Sequence, residues 1–64
     1  MTTKAQYAML EARRYVRQGL AGYEGATCKW QAKVALHNGN LERAIYLTMV
    51  ALFIHRLIKQ GAGS

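Results

Sequence analysis

Between Leu41 and Gln60 the apolar residues recur at helical spacing. Placed about 100° apart, Ala44, Leu47, Val50, Ala51, Ile54, Leu57 and Ile58 gather on one broad face. Ile45, Met49 and Leu52 fall outside that face and repeat at i, i+4, i+7, forming a second apolar strip beside Thr48 and Arg56. A helix that is apolar over most of its circumference is buried on more than one side. The pattern therefore predicts a helix over about 41–60 that needs neighbours on two flanks.

The rest of the chain reads as two further helices. Thr2 or Thr3 can cap a first helix over about 3–18, with an inner face of Ala5, Ala8, Met9, Ala12, Tyr15 and Val16. Its outer face carries Gln6, Leu10, Arg13, Arg14 and Arg17, with Tyr7 alongside. Gly19, Gly22 and Gly25 each cost a helix interior about 1 kcal/mol relative to alanine, so a break is expected across 19–25. The alternative is one continuous helix to Leu36 and hence a long-helix hairpin. A second helix over about 26–37 has Cys28, Ala32, Ala35 and Leu36 on one face and the i, i+4 pair Trp30 and Val34 on another, so it is expected to touch two neighbours. Asn38-Gly39-Asn40 punctuates the chain, with Gly39 suited to a left-handed C′ position and Asn40 to the following N-cap. Gly61-Ala62-Gly63-Ser64 reads as a frayed tail. The expected fold is all-α, a single three-helix domain over 1–64.

Size changes this picture. A domain of about 60 residues buries only roughly 60% of its unfolded surface and is marginal without a disulfide, a metal or oligomerisation. Cys28 is the single cysteine among the 64 residues, so no internal disulfide can form. With two histidines it makes no recognisable zinc spacing, and no metal or other cofactor is expected. Oligomerisation is the remaining staple. The expectation is a homodimer joined through Ile45, Met49, Leu52 and Arg56 of the last helix.

Nine Lys and Arg against three Glu give a net charge of +6, which favours acidic proteins, phosphate backbones or anionic lipid heads as partners. The apolar run Ala44–Ile54 is shorter than the roughly 20 residues of a membrane span, so core rather than membrane insertion is expected. A lone thiol and the absence of an apolar stretch after Met1-Thr2-Thr3-Lys4 point to the cytoplasm.

Catalytic chemistry finds no footing. Glu11, Glu24 and Glu42 make no acid/base pair on one helix. Cys28 and His37 sit about 180° apart on the second helix and roughly 13 Å apart along its axis, too far to act as nucleophile and base. The glycines follow no strand and precede no Lys-Ser or Lys-Thr, so no phosphate loop exists and no small-molecule substrate is implied. A non-enzymatic protein is expected.

Three family patterns overlap on the middle of the chain. Gln31, Val34, Ala35, Gly39 and Ile45 resemble the helix-turn-helix signature, which implies DNA binding; Asn38, Asn40 and Thr48 depart from it. Leu36–Leu52 resembles half of a tetratricopeptide repeat through Gly39, Ala44, Ile45, Ala51 and Leu52, which implies a helical adaptor or chaperone role. Gly22-Tyr23, Ala35-Leu36 and Leu41-Glu42-Arg43-Ala44-Ile45 are similar to the ubiquitin-associated three-helix fold, with a shorter gap before Asn40. All three share one physical content: a helix, a glycine turn, and a helix with a small residue near its first turn, as in any tight αα corner.

What remains is recognition. The outer face of the first helix, with Tyr7, Leu10, Arg13, Arg14 and Arg17, combines planar cations with an aromatic and an aliphatic anchor, and Lys29 and Lys33 are expected to extend it. The function expected is regulation or inhibition of an acidic protein partner, of the accessory kind that phages and mobile elements encode. A DNA-binding regulator and a chaperone-like adaptor are the alternatives.

Overall fold

The computed structural model describes residues 3–62, leaving aside the side chains of Ala21 and Ala62. These residues form three helices and no strand: α1 (Lys4–Arg17), α2 (Ala21–His37) and α3 (Leu41–Ala62). The all-α expectation is met.

The ends of the helices follow from short-range chemistry. Thr3 caps α1 in a reciprocal box: the Gln6 N–H donates to Thr3 Oγ1 at 3.2 Å, and the Thr3 N–H donates to Gln6 Oε1 at 2.8 Å. Thr2, the other candidate cap, lies outside the described residues. Both interhelical turns use one device. Gly19 and Gly39 adopt φ of 75° and 80°, a left-handed conformation open to glycine at no steric cost. Past them, the N–H of Leu20 reaches back to the Tyr15 carbonyl at 2.9 Å and that of Asn40 to the Ala35 carbonyl at 2.8 Å, the long bond of a Schellman cap. Asn40 also starts α3, its Oδ1 accepting from the Arg43 N–H at 3.2 Å. The Asn38-Gly39-Asn40 turn is as expected.

Two boundaries differ from the sequence expectation. The chain bends only over 18–20, and α2 begins at Ala21 rather than near Ala26, with Gly22 and Gly25 inside the helix. The cost of about 1 kcal/mol per glycine is outweighed because this part of α2 lies on α3: a Cβ at Gly25 would sit 3.7 Å from Ile54 Cγ2. At the other end α3 continues to Ala62, past Gln60, while Gly63 and Ser64 lie outside the described residues.

Packing makes α3 the centre. It runs along both α1 and α2, whereas α1 and α2 scarcely touch, giving a flattened body of 39 × 29 × 17 Å. The core is built from small residues, Ala8 and Ala12 of α1, Cys28 and Ala32 of α2, and Ala51 of α3, which let the helix axes approach closely. Leu47, Val50 and Ile54 of α3 supply the bulk, and Val50 and Ile54 are the largest side chains fully withdrawn from water. Tyr15, Val16, Met9, Phe53 and Leu57 stay half-buried around them.

The thinness of this core exposes residues that periodicity assigns inward. Leu36 and Ile58 face solvent, and Trp30 is 66% exposed with Val34 also open. The second neighbour expected for Trp30 and Val34 is missing, because α1 packs on α3 instead of on α2. The whole chain exposes 4933 Å². A compact protein of this mass exposes about 4,100 Å². The excess accompanies the thin, flattened body, in which α1 and α2 scarcely touch.

Candidate binding surfaces

Two surfaces carry the residues singled out by the sequence, and the structure regroups them. The first is the outer side of α1. Tyr7 (56% exposed), Leu10 (57%), Arg13, Arg14 and Arg17 all point away from the buried stripe Ala8–Ala12. Among the described residues the one ion pair is Lys4 Nζ with Glu42 Oε2 at 3.6 Å, an exposed contact of little energetic weight. The three arginines therefore present their charge to solvent.

The second surface is a groove of about 530 Å³ between α2 and α3. Its α3 wall is Leu41, Ala44, Ile45, Thr48, Met49, Ala51 and Leu52, and its α2 wall is Lys29, Ala32, Lys33 and Leu36. Ile45 is 59% and Leu52 60% exposed, while Met49 is half-buried and also packs on the core. Thr48 interrupts the apolar wall without leaving a polar group unsatisfied, since its hydroxyl donates to the Ala44 carbonyl at 2.7 Å. Arg56 is exposed one turn beyond Leu52 on the same side of α3 but does not line the groove.

This grouping changes the expected site. Lys29 and Lys33 do not extend the arginine face: they form the rim of the apolar groove, beside the very strip expected to self-associate. Leu36 of the α2 wall and Leu41 of the α3 wall also line the groove and belong to neither expected set. The i, i+4, i+11 spacing of Leu41, Ile45 and Leu52 carried that signal for α3. Nothing in the spacing of Leu36 marked it as exposed.

Glu11 ties the two parallel helices α1 and α3 together. Its Oε1 accepts from the Tyr15 hydroxyl at 2.7 Å, and its Oε2 accepts from the Tyr46 hydroxyl. A carboxylate beside each phenol opposes formation of a phenolate, and partial burial adds to this. Tyr46 is pushed up to about 12, and Tyr15 is raised further.

Cys28 is buried in the core, and burial, with Glu24 and Glu11 adding, raises its thiol. His37 lies exposed in the last turn of α2. No group of three His, Cys, Asp or Glu among the described residues could hold a metal ion, and none of the described helices is long and apolar enough to cross a membrane.

The helix-turn-helix likeness meets an obstacle in this geometry. The α2–turn–α3 corner is present, but Ile45, which that motif would bury, is exposed. No protein-family model, curated protein or solved structure matches the chain.

Proposed function

We propose that this is a non-enzymatic binding protein that regulates or inhibits an acidic protein by docking the outer face of α1 on it. One observation carries the reading: Arg13, Arg14 and Arg17 stand with Tyr7 and Leu10 on a single outward stripe and make no ion pair among the described residues. Arg and Tyr dominate interface hot spots because they bring large, rigid contact area together with donors that match carboxylates. The rigid helix holds them in place before binding, which lowers the ordering cost of association.

Affinity capture from a nuclease-treated native lysate tests this. A protein retained by the wild type and lost by the R13E/R14E/R17E variant, with unchanged helicity, supports the proposal. Equal capture by both overturns it. Retention on duplex DNA that falls steeply with salt and vanishes in the variant would reassign the face to phosphate binding.

A further inference from the structure

The groove between α2 and α3 is long enough to seat one face of a helix. Its α3 wall, from Leu41 to Leu52, spans three turns, about 17 Å at 1.5 Å per residue. A third helix laid in a trough between two others meets apolar residues at i, i+3 or i+4, and i+7, over this same length. Leu36, Leu41, Ile45, Met49 and Leu52 supply such a floor, and the hydroxyl of Thr48 is already satisfied.

Charge identifies the occupant. Lys29 and Lys33 lie one turn apart along the α2 rim, and Arg56 stands just past the end of the α3 wall. None of the three is paired with a carboxylate among the described residues. A second copy of the protein fits this rim poorly. It would bring nine cations against three acids, and one of those acids, Glu11, is already bound to two tyrosines.

We infer that the α2–α3 groove docks an amphipathic helix of a partner protein, with its apolar stripe on Ile45 and Leu52 and its acidic flank against Lys29 and Lys33. The inference rests on the reading of the protein as a binding module but not on the arginine face, which lies on α1. Two contact surfaces on one small body suit a protein that grips a partner at two places.

Selection from a displayed library of helical peptides about 16 residues long, using the full chain as bait, tests the proposal. The expected outcome is enrichment of sequences with apolar residues at i, i+3 or i+4, and i+7 flanked by Glu or Asp. For one such peptide, K29E/K33E should weaken binding about tenfold, the sum expected for two exposed ion pairs turned repulsive. Leu52→Ser, at an exposed position that leaves folding intact, should weaken it as well. R13E/R14E/R17E should leave peptide binding unchanged, so that failure of the groove and failure of the arginine face are told apart. Enrichment of basic or neutral helices, or binding indifferent to K29E/K33E, overturns the inference. So does a concentration-dependent dimer in sedimentation that Leu52→Ser dissolves, since the groove would then be filled by a second copy.

Discussion

Glu11 and Tyr46, 35 residues apart in the chain, meet across the α1–α3 contact, where the Tyr46 hydroxyl donates to the carboxylate that also accepts from Tyr15. These are the only side-chain hydrogen bonds among the described residues that join one helix side chain to another, and Tyr46–Glu11 alone crosses between helices. The remaining α1–α3 contact is the buried Ala8 and Ala12, the half-buried Tyr15 and Val16, and one exposed ion pair.

Removing the cross-helix bond should therefore be felt. Tyr46→Phe keeps the ring and deletes the donor, and a hydrogen bond to a charged group contributes about 1.5–3 kcal/mol, the lower end applying to this half-buried pair. Urea unfolding should show a loss of that order. A double-mutant cycle with Glu11→Gln should give non-additive losses, and additive ones would mean that the two groups do not interact.

Alkaline pH should loosen the same junction. The folded Tyr46 titrates near 12, against an ordinary 10.0, so its stabilising effect is complete below pH 10 and is lost as pH rises toward 12. Tyr15 is raised in the same direction by the same carboxylate. Stability measured by denaturant between pH 9 and pH 12 should fall, and the fall should be smaller in Tyr46→Phe.

The glycines divide by conformation. Gly25 is inside α2 with ordinary van der Waals space for a methyl group, so Gly25→Ala should stabilise by about 0.5–1 kcal/mol. Gly39 at φ 80° has room but the wrong backbone, so Gly39→Ala should destabilise by about 1 kcal/mol or more. Chemical denaturation midpoints moving in opposite directions would bear out both.

The thiol of Cys28 should be slow to react. It is buried and its ionisation is disfavoured by burial and by Glu24 and Glu11. Reaction with a disulfide reagent at neutral pH should be much slower in the native protein than in denaturant. A native rate equal to the denatured one would show that α2 opens readily from α3.

Much of the architecture was written locally. The capping box at Thr3, the Asn38-Gly39-Asn40 turn and the inward face Ala44, Leu47, Val50, Ala51 and Ile54 of α3 depend on residues a few positions apart, which periodicity and capping chemistry report directly. The start of α2 was not local. Gly22 and Gly25 argue for a break, and only packing against α3 makes helix the better state there.

The candidate surfaces divide in the same way. That Arg13, Arg14 and Arg17 share an outward stripe with Tyr7 and Leu10 follows from 3.6 residues per turn and needs no tertiary knowledge. Which helix would lie beside which was beyond the reach of any one helix's pattern. By packing α1 and α2 on different sides of α3, the fold left Trp30 uncovered, joined Tyr46 to Glu11, and set Lys29 and Lys33 over Ile45 and Leu52. The physical reason is that hydrophobic attraction has no direction: a periodic stripe says that a face is to be covered, and only the shapes of all three helices together decide what covers it.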